Sequence, residues 1–236
     1  PSTTDVAICH ALTAQSLDVE FFGKAAHAAA RPETGINALE AILLSFSSIN
    51  SLRQHIKGSA RIHGIITDGG EAANIVPEHS AGNFLVRAED NDYLEELKQK
   101  VLKCFTGAAV ATGARLEYKW GDTKYAALRN NLTLVRLFVQ NMEFLGRKMQ
   151  LSDPGQSFGS TDMGNVSHLV PAIHPFIAIA PQEVLLHSPE FVEAATSDAG
   201  IRGMLDAAKA LAMTTVDLLA DPETVTLVKE EFEQNQ

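Results

Sequence analysis

Between residues 17 and 125 the hydrophobic period switches repeatedly between two and 3.6, and the order of the switches leaves little freedom for the fold. Leu17, Val19 and Phe21 alternate with Asp18 and Glu20, the pattern of a strand with one buried face. Asn37 stands where it can cap a helix, with Glu40 three residues on, and Leu39, Ile42, Leu43, Phe46 and Ile49 mark that helix's apolar side. Residues 60–67 read as a second strand, followed by a turn in which Asp68, Gly69 and Gly70 supply positive backbone angles. Residues 80–88 read as a third, with Phe84 and Val86 on one face and Leu85 and Arg87 on the other. Leu94, Leu97, Val101 and Phe105 predict a helix from Asn91 or Asp92 to about Thr112, ended by Gly113. Residues 114–125 alternate Leu116, Tyr118 and Trp120 with charged neighbours. Strand, helix, strand, strand, helix, strand is the split βαβ (ferredoxin-like) order, a four-stranded antiparallel sheet with two helices on one face.

Beyond residue 125 a second, α/β region is expected. Leu132, Val135, Phe138, Val139, Met142 and Leu145 lie at helical spacing, residues 174–180 (HPFIAIA) read as a buried strand, and Ile201, Leu205, Ala208, Leu211 and Ala212 mark the buried side of a long final helix. Residues 155–165, GQSFGSTDMGN, lead towards a short helix with Ser160, Thr161 or Asp162 as caps. Such a loop either offers backbone N–H groups to an anion or merely starts the helix. His187 is expected just after a strand end. His27, in a run of alanines, is open to two readings from its own stretch, a surface histidine or an imidazole presented to a ligand.

Charge and cysteine content exclude several function classes. With 29 acidic against 19 basic residues and no basic run, the chain is a poor nucleic-acid binder. Two cysteines, Cys9 and Cys104, make neither a disulfide framework nor a zinc ribbon, so a cytoplasmic location is expected. No apolar run is long enough to span a membrane, and no secretion signal opens the chain. The chain begins at Pro1, and residues 1–16 read as the end of a segment begun elsewhere, so a fragment or processed product is expected.

Five segments in order, GKAAHAAARPETGINALEA, GGEAANIVP, FLVRAED, GSTDMGNVS and LHSPEF, resemble the second half of the zinc-dependent aminoacylase, carboxypeptidase and dipeptidase metallopeptidases. The resemblance is to the amidohydrolase branch that includes p-aminobenzoyl-glutamate hydrolase and β-alanyl-lysine dipeptidase. It implies a phosphorylase/hydrolase-like α/β catalytic domain that holds two zinc ions and carries an inserted, dimerising lid. Residues 17–125 would be the lid, with 1–16 and 126–236 belonging to the catalytic domain. His27 and Asn74 would then reach into the active site of the other protomer, Asn74, Arg87, Gly159 and Ser160 would hold the carboxylate side of the substrate, and His187 would be a zinc ligand.

The resemblance further implies a homodimer acting on a small amide or dipeptide substrate. Zinc-bound water would attack the carbonyl while His27 donates to the developing oxyanion. One departure stands against it. The family's other zinc ligands and its general-base Glu are not in this chain, and a catalytic zinc needs three protein ligands. A separate N-terminal half would supply them. The alternative is reuse of the half-fold as a metal-free, non-hydrolytic protein, either an acid/base enzyme or a dimerising regulatory partner.

Overall fold

The first strand starts earlier than its side-chain alternation suggests. In the computed structural model, which describes residues 1–152 and 159–234, β1 is Thr13–Phe22. Ala14 already pairs with Arg87 on one side and Tyr125 on the other, and backbone pairing needs no apolar side chain. There follow α1 (Ala38–Leu52), β2 (Arg61–Asp68), β3 (His79–Ala88), α2 (Asn91–Thr112) and β4 (Arg115–Tyr125). Every pairing is antiparallel, in the order β2-β3-β1-β4. This is the split βαβ lid, and it forms one compact unit over Leu12–Ala127.

Its core lies between the sheet and the two helices. Leu17, Val19, Phe21, Phe84 and Val86 meet Ile42, Ile49, Leu94, Leu97, Val101 and Phe105, and the Phe84 ring stands edge-on to Phe105 at 4.9 Å between centroids. Asn37 caps α1, accepting from the Glu40 N–H at 3.2 Å. Leu43 is exposed instead of buried, because α1 faces the core through Ala38, Ala41, Ile42, Ser45 and Ile49. The small residues bring the helix close, and the bulky ones flank the contact. α2 ends at Gly113, whose φ of 77° makes it a left-handed cap. In the turn after β2 only Gly70, at φ 102°, takes the positive angle expected of its neighbours as well.

Pro1–Ala11 and Leu128–Gln236 form the second unit. It contains α3 (Leu132–Phe144), α4 (Met163–Ser167), α5 (Pro189–Thr196), α6 (Asp198–Ala220) and α7 (Pro222–Gln234), around Ala7, Val135, Phe138, Met142, Met149, Ile177 and Ala210. Two expectations are corrected here. Residues 174–180 make only single bridges, Phe176 to Val6 and Ala178 to Ser2, so they are an extended segment without a ladder among the described residues. His187 accordingly lies in a turn and not after a strand. On α6 the bulky Ile201, Leu205 and Leu211 are exposed, as are Ala208 and Ala212, and the buried line is Gly200, Gly203, Ala210 and Thr214. A Cβ on Gly203 would lie 2.9 Å from the Ile179 side chain, so the helix packs through its smallest residues.

Arg147 ties this unit together. It bonds Asp5 at 2.9 and 3.1 Å, the Ala178 carbonyl at 2.8 Å and Asp206 at 3.3 Å. Among the described residues no helix is long and apolar enough to cross a membrane.

Candidate functional site

The lid tip is built by the chain beyond the ends of β1 and β3. The Gly23 N–H bonds the Glu78 carbonyl at 2.8 Å, the Val76 N–H bonds Ala26 at 2.9 Å, and the Ala28 N–H bonds Asn74 at 3.0 Å. His27 and Ile75 form a bridge between these bonds. Lys24 and Ile36 exchange N–H bonds on the other side, at 2.8 and 3.0 Å. The alanine run is what permits this crowding. His27 and Asn74, far apart in the sequence, thus become backbone neighbours, and both side chains are exposed.

The His27 ring is fixed by its own loop. Nδ1 accepts the N–H groups of Ala29 and Ala30, each at 3.2 Å. A ring nitrogen that accepts carries no proton, so the neutral imidazole holds its proton on Nε2. The tip therefore presents an oriented N–H donor, the group needed to stabilise an oxyanion.

Arg87 lies at the other end of the sheet. It is opposite Ala14 and Arg61, near the ends of the lid unit, whereas β3 starts at His79 beside the tip. The run from His79 to Arg87 covers about 26 Å at roughly 3.3 Å per residue. A dipeptide spans only about 7 Å. One lid cannot bring Arg87 and His27 to the same small substrate.

In the second unit, His187 is the one non-glycine among the described residues with positive φ, at 67°. That conformation costs on the order of 1 kcal/mol for a residue with a Cβ, and such strain collects at functional positions. Gly159 is also left-handed, at φ 71°. The Ser160 hydroxyl is buried without a hydrogen-bond partner among the described residues. The beginning of the predicted loop, residues 155–158, lies outside the described residues. The helix it leads to, α4, has five residues, and its first turn is closed by the Thr161 hydroxyl, which accepts from the Met163 N–H at 3.3 Å.

Among the described residues no three His, Cys, Asp or Glu side chains converge as a metal site. Since a catalytic zinc takes three protein ligands, the donors among the described residues do not by themselves make a zinc site.

Several charged groups escaped the reading of the sequence. His79 is held between Asp68, 2.8 Å from Nδ1, and Glu20, 2.9 Å from Nε2. These bonds, Asp68 first and then Glu20, raise its pKa against the opposing effect of burial. His174 is half-buried, and burial lowers its pKa, followed by the N-terminal ammonium, with Asp162 opposing. Arg61 and His63 share a sheet face with Arg87. Only strand register reveals these groupings, since the partners are far apart in sequence.

Known proteins share this architecture. Residues 13–112 match the peptidase dimerisation domain. The chain is 38% identical to the Xaa-Arg dipeptidase of Mus musculus over 98% of its own length and 54% of that protein's. It is 26% identical to one of the p-aminobenzoyl-glutamate hydrolase subunits of Escherichia coli (strain K12), over 91% of this chain and 56% of that one. The crystal structure of an aminopeptidase from Bacillus cereus superposes with a TM-score of 0.62 at 18% identity, covering 91% of this chain and 54% of that one, a likeness of fold. The chain spans about half the length of the curated relatives it matches. With 38% identity to a dipeptidase over nearly the whole chain, and the dimerisation domain matched over the first three strands and both helices of the lid, the chain belongs to the amidohydrolase and dipeptidase family of peptidases.

Proposed function

We propose that this chain supplies the lid and part of the catalytic domain of an amidohydrolase that cleaves the amide bond of an N-acyl amino acid or dipeptide, acting as a dimer paired through its lids. The observation that carries the reading is His27. Its Nδ1 is occupied by two backbone N–H groups, so Nε2–H is a donor set in place before substrate arrives. Asn74, its neighbour through the Ala28 bond, adds a second polar group at the same tip.

The separation of Arg87 from this tip supports a site shared by two protomers. Arg87 of one protomer would hold the substrate carboxylate, and His27 and Asn74 of the other would meet the scissile carbonyl. In the second unit, the family resemblance gives His187, Gly159 and Ser160 as the candidate residues of the catalytic side. His187 is one donor towards the zinc that the family resemblance brings with it. No group of three such donors converges among the described residues.

The test is complementation between protomers of the natural protein. His27→Ala is expected to lower kcat by about 100- to 1,000-fold while substrate KM changes little. Arg87→Ala is expected to act mainly on KM. Assayed at substrate well below the wild-type KM, where both variants turn over little, mixing the two proteins regenerates one intact site per mixed dimer, restoring about a quarter of wild-type activity on random pairing. No recovery on mixing, with dimers shown to exchange, overturns the shared site.

A further inference from the structure

The loop that carries Asn74, residues 69–78, is held by little packing. Residues 70–75 are exposed, and Val76 is the buried residue of the loop. A cavity of about 210 Å³ opens beside it, lined by Ala25, Asp68, Glu71, Ile75, Glu78 and His79. One side chain closes the two ends of the loop. Asp68 ends β2, His79 starts β3, and Glu20 lies on β1 just before the segment that leads to His27. The His79 ring meets Asp68 at 2.8 Å through Nδ1 and Glu20 at 2.9 Å through Nε2. It joins three strands at the end from which both tip segments leave.

The proton count of the ring decides how many of these bonds exist. An ionised carboxylate only accepts, and a neutral imidazole has one N–H to donate. The doubly protonated ring satisfies both carboxylates, whereas the neutral ring must turn a lone pair towards one of them. The charged groups around His79 favour the proton. Glu20 on β1, Asp68 on β2 and Glu71 and Glu78 in the loop face it on one side. On the other side Phe22 stands between it and Arg115 of β4, 5.1 Å from the His79 ring and 4.4 Å from the guanidinium, and Arg115 is itself paired with Glu117.

We infer that His79 is a positioning residue for the lid tip, which as an imidazolium clips β1, β2 and β3 together and holds His27 and Asn74 in place, and on losing its proton lets them move. This rests on the role of the tip proposed above and adds its control by pH. The route from clip to tip is short. The Gly23 N–H bonds the carbonyl of Glu78, the residue before His79, and the Val76 and Ala28 N–H groups carry the pairing on to Ala26 and Asn74. The clip is complete below the ordinary imidazole range and is lost as pH rises through the raised pKa of His79. His27 keeps its Nε2–H above that point and loses its fixed direction.

The test is NMR of the 236-residue chain with isotope-labelled histidine ring nitrogens, from about pH 7 to about pH 9. Through the His79 midpoint the His27 Nδ1 signal is expected to shift as its bonds to Ala29 and Ala30 loosen. Solvent exchange of the Ala28 amide, corrected for its intrinsic pH dependence, is expected to rise about fivefold, while the Leu97 and Val101 amides of α2 stay unchanged. His79→Gln is expected to show the fast rate at both ends of the titration. His79→Arg, which keeps its charge and can donate to both carboxylates, is expected to show the slow rate at both. A wild-type tip that exchanges equally at both ends overturns the inference, as does a His79→Arg tip that loosens with pH, and either result leaves the role of His27 standing. A His27 Nδ1 that accepts no hydrogen bond at either end removes that role and the inference with it.

Discussion

His79 makes the sharpest energetic prediction, because its two ring nitrogens each face a carboxylate and its protonation can be set from outside. The perturbation is His79→Gln, which keeps hydrogen-bonding capacity and removes the titratable charge. The three side chains are 33% (His79), 47% (Asp68) and 51% (Glu20) exposed. Each ion pair is therefore partly screened and worth about 0.2–1 kcal/mol, and the two together about 1 kcal/mol. For the lid unit, Leu12–Ala127, that is a shift of about 4 °C in Tm.

The sign follows from linkage. The folded pKa of His79 lies above its ordinary value, so its stabilisation is complete below the ordinary imidazole range and is lost as pH rises through the raised value. Asp68 is lowered, first by the Gly70 N–H and then by His79, so its contribution is present above the ordinary carboxylate range and lost in acid. At about pH 5.5, between the two ordinary ranges, both act. Thermal melts of wild type and His79→Gln are expected to differ by about 4 °C there and to converge near about pH 9, with the gap shrinking in high salt. A difference that is the same at both pH values refutes a charged His79, since plain hydrogen bonding carries no such pH dependence. Because Asp68 and His79 flank the connection that carries Asn74, amide exchange at Ile75 and Val76 should accelerate with the same pH dependence.

Two further substitutions test the other unit. His187→Gly relieves the left-handed backbone at φ 67° and is expected to raise stability by about 0.5–1 kcal/mol while abolishing turnover of the natural protein; a loss of stability in chemical denaturation would show that the imidazole has a packing role instead. Arg147→Ala strips a guanidinium that is 19% exposed from Asp5 and Asp206 and should cost about 3 kcal/mol in urea unfolding, and a cost below about 1 kcal/mol would mean that the aspartates find solvent without it.

The alternation of Leu17, Val19 and Phe21, the cap at Asn37, the stripe from Leu94 to Phe105 and the stop at Gly113 were legible without coordinates, because each depends on neighbours within a few residues. Those signals determine a split βαβ lid, and five segments along the chain carry the family resemblance. Register was not legible, and most of the site depends on it. Which residue of β2 lies opposite Arg87, which carboxylates close on His79, and that Asn74 abuts His27 are consequences of long-range pairing.

On α6 the apolar pattern held more bulky residues than the helix buries, and the choice fell to Gly200, Gly203 and Ala210, because close approach favours the smallest side chains. Local chemistry settles which element forms. Tertiary structure alone decides which of its faces meets which partner, because that is set by packing and backbone pairing between segments far apart in the chain.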